Sequence, residues 1–199
     1  MRNFRKIFIF VLLLALCLKF CICIYSNYKK NSYFPKNLFS YDLKEKWYAE
    51  NLFSLKEPSL YTKKQNDEKS YFRFFYLRTF DHPLSIRIEI DLKKNEANLY
   101  YKECNGAGGY DPGKLVKDKL IKLSKDEISK FEYLYKSLVF EDLPTEQNDA
   151  GFDGAQWIVE VNQDGKYHLV DRWSPEEGLF RDFCLYFIEF SNIDIQDIY

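Results

Sequence analysis

Apolar and polar side chains alternate with a period of two from Tyr71 onward, and that alternation predicts most of the chain's architecture. In 84–92 (LSIRIEIDL) the isoleucines 86, 88 and 90 point one way and Arg87, Glu89 and Asp91 the other, the signature of a strand with two different faces. The preceding run 71–80 places Phe72, Phe74 and Tyr76 on one parity and Arg73, Phe75 and Leu77 on the other. Asp81-His82-Pro83 turns the chain between them, and 97–104 (ANLYYKEC) completes an antiparallel meander. Residues 115–124 form a weaker strand candidate. The period then changes. Ser124 and Glu127 make a capping box, and Ile128, Phe131, Leu134, Tyr135 and Leu138 follow at helical spacing. Residues 155–173 return to strand, two β-rich runs around Asp164-Gly165, which suits a type I′ turn. That register sets Val161 opposite His168, Val159 opposite Val170 and Trp157 opposite Arg172, with a cation–π contact expected in the last pair. A second helix is expected from Ser174, with Pro175 at its first position and Phe180, Phe183, Cys184, Phe187 and Ile188 on its buried face. The prediction is an α+β domain over 71–199: an antiparallel sheet of five or six strands with two amphipathic helices on one face. Residues 31–70 read as a polar approach to it, with a short helix at 43–55 and a loop at 62–70.

The amino-terminal stretch follows neither period. Ile7–Tyr25 (IFIFVLLLALCLKFCICIY) is nineteen residues with one charge, Lys19, the length of a membrane-spanning helix. Arg2, Arg5 and Lys6 precede it, which by the positive-inside rule keeps the amino terminus in the cytoplasm and exports the rest. The expectation is a signal anchor in residues 1–30 that holds the protein in a cell inner membrane. A cleaved leader or a lipidated one competes with it. However, no small-residue cleavage pattern follows the apolar run, and Leu16, Phe20 and Ile22 are bulky neighbours for Cys17, Cys21 and Cys23. The formal charge of -1 over 199 residues conceals this division. Residues 1–30 carry six bases and no acid, whereas 141–199 carry fourteen acids and three bases. No basic surface points to nucleic acid, and the acidic carboxy-terminal third points to a basic protein partner.

Candidate chemistry is sparse. In 105–114 (NGAGGYDPGK) the glycines and Lys114 imitate a phosphate-binding loop, but Leu115 stands where a metal-binding hydroxyl is needed and β structure follows. The stretch reads as a shaped loop with Tyr110, Asp111 and Lys114 as its polar equipment. His82 and His168 are the only histidines. A metal site would have to gather His82, Cys104, His168 and Cys184 from a hundred residues of chain, so none is expected, and no motif calls for a cofactor. Cys104 and Cys184 are either a disulfide or two buried thiols. The binding candidates are Tyr110, Asp111, Lys114, His168, Arg172 and Trp173, to be brought together between the glycine-rich loop and the hairpin if the domain is a hydrolase or binds a small ligand. Otherwise it is an interaction module.

Three blocks, GGYDPGKL (108–115), DGAQWIVE (153–160) and GKYHLVDRWSP (165–175), resemble stretches shared by a family of uncharacterised exported or membrane-anchored bacterial proteins. The resemblance spans about Tyr71–Asn192 and carries no activity. It implies that loop, hairpin and Ser174 belong to one design.

Overall fold

In a computed structural model, residues 11–22, 32–63, 68–147, 151, 153–195 and 198–199 are described. After a helical stretch at 11–22 come helix α1 (Asp42–Ser54) and strands β1 (Lys69–Arg78), β2 (Leu84–Asp91), β3 (Glu96–Cys104) and β4 (Leu115–Leu123). Helix α2 (Lys125–Leu138), a 3-10 turn (Phe140–Asp142), β5 (Ala155–Gln163), β6 (Lys166–Trp173) and helix α3 (Leu179–Ser191) complete the chain. The sheet has six strands in the order β4-β3-β2-β1-β5-β6, all neighbours antiparallel.

The two parities of each strand pack against different things. Phe72, Phe74, Tyr76, Ile86, Ile88, Leu99, Trp157, Val159 and Val170 face α2 and α3, whose Phe131, Tyr135, Phe183 and Phe187 close that core. The aromatic content is concentrated here: Phe131 lies within 5.0–5.2 Å, centroid to centroid, of Phe72, Phe183 and Phe187, at the separations favoured by tilted and edge-on pairs. The opposite face is covered by residues 32–63, so the stretch read as an approach is a layer of the fold. Tyr33, Phe34, Phe39, Tyr48, Leu52 and Leu55 pack there on Phe75, Leu77, Cys104, Ile158 and Leu169.

Local expectations hold where local chemistry decides. The Ser124–Glu127 capping box is complete. Asp164 and Gly165 both have positive φ (51° and 73°), as a type I′ turn requires, and the β5–β6 register is the expected one. Two expectations need correction, and the two alternatives for the cysteine pair are decided. The last helix starts at Leu179, not near Ser174, because Ser174 extends the hairpin: its amide donates to the Ala155 carbonyl (2.8 Å) and its Oγ accepts from the Ala155 amide (2.9 Å). The cation over the Trp157 ring is Arg181, while the Arg172 guanidinium lies over Phe180 at 5.7 Å. Cys104 and Cys184 are free thiols, one in each core with the sheet between them, so they form no bridge. Burial pushes the Cys104 thiol up to about 11 and Cys184 well above its usual range.

Among the described residues no helix is long and apolar enough to cross a membrane. The rest of the Ile7–Tyr25 run, residues 7–10 and 23–25, lies outside the described residues.

Candidate functional site

The three motif blocks meet at one end of the sheet. The Gly109 amide donates to the Thr79 carbonyl (3.1 Å), and the Thr79 amide and hydroxyl both donate to the Gly154 carbonyl (2.9 and 2.8 Å). Gly154 lies against Trp173 and Ser174 so closely that a Cβ there would fall 2.5 Å from Ser174 Oγ. Thr79 therefore joins the glycine-rich loop to the mouth of the hairpin. The loop itself is closed. Asn105, Gly106 and Ala107 donate their amides to the carbonyls of Lys114, Pro112 and Asp111, and Gly113 and Lys114 donate to the side chains of Asp111 and Asn105. Gly106 is required for this closure, since a Cβ would lie 2.0 Å from the Asp111 carbonyl oxygen. With those amides engaged, the loop has no cradle for phosphate.

Below the 32–63 layer runs a row of buried charge. Arg73 of β1 stands directly opposite Arg87 of β2 and Glu160 of β5. Arg73 Nε donates to Glu160 Oε1 at 2.8 Å, and the Tyr167 hydroxyl donates to Glu160 Oε2 at 2.9 Å. Glu57, from the covering layer, inserts between the guanidiniums: its Oε2 is 2.7 Å from Arg87 Nε and 3.4 Å from Arg73 Nη1, and its Oε1 is 3.6 Å from Lys102 Nζ. The Glu57, Arg73 and Glu160 side chains have no exposed surface. Burial disfavours the Arg73 charge, but Glu160 and Glu57 outweigh it and hold its pKa above the ordinary value. A second cluster pins α1 to β6: Asp171 accepts from the Tyr48 hydroxyl (2.8 Å) and from Lys44 Nζ (2.6 Å), which also reaches Glu146 (2.7 Å). Burial raises the Asp171 carboxyl, with Lys44 opposing.

The largest cavity described, about 680 Å³, opens between the end of α1 and the end of the glycine-rich loop. It is lined by Tyr33, Phe53, Ser54, Lys56 and Glu57 on one side and Gly113, Lys114 and Leu115 on the other. Its volume is typical of small-ligand clefts. A neighbouring cleft of about 350 Å³ shares Tyr33 and Glu57. Lys56 sits at φ 53° just past the helix end, where its amide donates to Phe53 and the Glu57 amide donates to Leu52, so carbonyls of the last turn are satisfied. Burial pushes the Tyr33 hydroxyl up to about 12, and it donates to the Glu57 carbonyl at 2.8 Å.

Of the residues singled out from sequence, only Lys114 lines this cavity. Tyr110 is exposed and stacks on Phe80 (6.0 Å), and Asp111 caps the Gly113 amide. His168 Nε2 donates to the Leu143 carbonyl (2.9 Å) and its ring packs edge-on to Phe140, on the helix side of the sheet. Arg172 donates to the carbonyls of Asp171 and Pro144. Trp173 packs against Gly151 and Gly154. The loop residues and the hairpin residues thus have different surroundings, without the convergence that a hydrolase site between them requires. Sequence reasoning missed Tyr33, Phe53, Lys56 and Glu57, which come from the segment read as an approach. It also left Arg73 and Glu160 unpaired; the signal was present as opposite charges on matching parities of β1 and β5. No family model, curated protein or solved structure matches the chain, and among the described residues no group of three or more metal-ligating side chains occurs.

Proposed function

We propose that this protein is a binding module held at a membrane surface by its amino-terminal segment, with its α+β domain outside the cytoplasm. One observation carries the reading. Residues 11–22 are helical, and Val11, Leu12, Leu13, Leu14, Leu16, Leu18, Phe20 and Ile22 are each 52–68% exposed. The domain, in contrast, buries most of its aromatic residues in the two layers that flank the sheet. A helix apolar on every side is stable against lipid and not against water. Together with residues on either side it belongs to the nineteen-residue run Ile7–Tyr25, long enough for the bilayer, and Arg2, Arg5 and Lys6 favour a cytoplasmic amino terminus.

The partner side is narrower than the bare charge count implies. Of the acids in the carboxy-terminal third, Glu160 and Asp171 are buried and paired, and Glu146 and Glu189 engage Lys44 and Lys130. Glu176, Glu177 and Asp182 remain exposed around the start of α3 and are the surface offered to a basic partner. The test of anchoring is fractionation of the full-length protein. It should stay with membranes through alkaline carbonate, and a chain lacking residues 1–31 should be released with its domain folded. Extraction of the full chain by carbonate would remove the anchor. Capture of a basic partner that does not weaken between low and physiological salt would remove the acidic surface from the reading.

A further inference from the structure

We infer that the cavity between α1 and the glycine-rich loop binds a single-headed anion with a short apolar tail, a phosphate ester or an ionised carboxylic acid of that kind. The charge distribution selects the sign. Lys56 and Lys114 stand on opposite walls, both exposed, and neither has an ion-pair partner among the described residues. The acid in the wall, Glu57, offers nothing to a ligand through its side chain, which has no exposed surface and is balanced by Arg87, Arg73 and Lys102. Two accessible ammonium groups facing one space, with no accessible carboxylate in the lining, favour an anion.

The remaining lining selects the rest of the ligand. Phe53 and Leu115 are only partly buried and, with the Tyr33 ring, form an apolar wall beside the Ser54 hydroxyl. A free polyphosphate is disfavoured, because the loop amides of Asn105 to Tyr110, Gly113 and Lys114 are engaged within the protein and Pro112 has none. The ligand is held by side chains at its head and by apolar contact along its tail. Tyr33, next to the first described residue after the leader, borders both this cavity and its neighbour, and Ser32 borders the neighbour. That position makes a membrane lipid one source of such an anion, and a soluble metabolite the other. The lipid arm alone rests on the membrane reading.

The experiment titrates full-length protein, in buffer if it stays soluble and in phosphatidylcholine nanodiscs if it does not, with hexyl phosphate, inorganic phosphate and hexanol. Hexyl phosphate should bind more tightly than either fragment, and K56Q/K114Q should weaken it about tenfold or more. Both lysines are exposed, so the variant should melt at the wild-type temperature, and K114E alone should weaken binding further than Lys114→Gln. Equal binding of hexanol, or undiminished binding of hexyl phosphate to K56Q/K114Q, overturns the site. In nanodiscs of phosphatidylglycerol, a lowered apparent affinity for hexyl phosphate assigns the natural ligand to the lipid. An unchanged affinity assigns it to solution. A failure of carbonate-resistant anchoring leaves the soluble titration intact, so the two readings fail separately.

Discussion

The Glu57 carboxylate is the keystone between the 32–63 layer and the sheet, and Glu57→Gln tests that role. The substitution keeps the shape and removes one charge from a site where three cations converge: Arg87 Nε at 2.7 Å, Arg73 Nη1 at 3.4 Å and Lys102 Nζ at 3.6 Å. Arg73 and Arg87 face each other directly across β1 and β2, so without the carboxylate two guanidiniums are left adjacent with only Glu160 and Glu89 beside them. Removing one partner from a buried ion network costs about 3–5 kcal/mol. For a domain of this size each kcal/mol shifts the melting temperature by about 2–4 °C, so the midpoint should fall by about 6–20 °C. Urea and thermal unfolding, followed by near-ultraviolet circular dichroism, would measure it. The double substitution E57Q/R87M should be less destabilised than E57Q, because one orphaned cation goes with it. A loss below about 1 kcal/mol for E57Q would show that water reaches the row and that the network is not a buried one. A double variant worse than the single would refute the charge argument in particular.

Three further outcomes follow from single positions. Val139 closes α2 in the left-handed region at φ 47°, a conformation costly for a β-branched residue and free for glycine, so V139G should stabilise the protein by about 1 kcal/mol in urea unfolding. A destabilisation would mean that the exposed valine side chain contributes more than its backbone strain costs. Gly108 has the Arg78 carbonyl oxygen 2.7 Å from where a Cβ would sit, so G108A should cost about 1–3 kcal/mol and disturb the Thr79 junction; an unchanged urea midpoint would show that the loop yields freely. Asp171 has a carboxyl raised by burial, with Lys44 opposing. The folded state therefore holds that proton more tightly than the unfolded chain, and stability from this group declines as pH rises from its ordinary value, 3.8, through the raised one. D171N lacks that decline, so its stability relative to wild type should rise as pH climbs above 3.8. Unfolding midpoints that run parallel over this range would contradict the assignment.

The second face of the sheet shows where sequence reading stops. Arg73, Arg87 and Glu160 occupy strand positions that in a one-sided antiparallel sheet face water, and nothing local distinguishes them from solvated residues. They are buried because residues 32–63 fold back over them, a contact set by Glu57 on Arg73 and Arg87, 16 and 30 residues away, by Tyr48 on Asp171, 123 residues away, and by the apolar side chains around them. The same distant contact creates the cavity, whose two walls come from Tyr33–Glu57 and Gly113–Leu115. Of that site, the sequence marked Lys114 alone.

What the sequence determined by itself is what neighbours in the chain decide: the strand periods, the Ser124 capping box, the Asp164-Gly165 turn with its register, and the apolar character of the leader. Each depends on backbone dihedrals or side chains within a few residues of one another. The tertiary structure decided which strand face would be dry, that Cys104 and Cys184 lie on opposite sides of the sheet, and that Ser174 continues the hairpin instead of opening a helix. Those outcomes depend on which distant segments remove water from which surfaces, a competition among long-range contacts that periodicity does not encode.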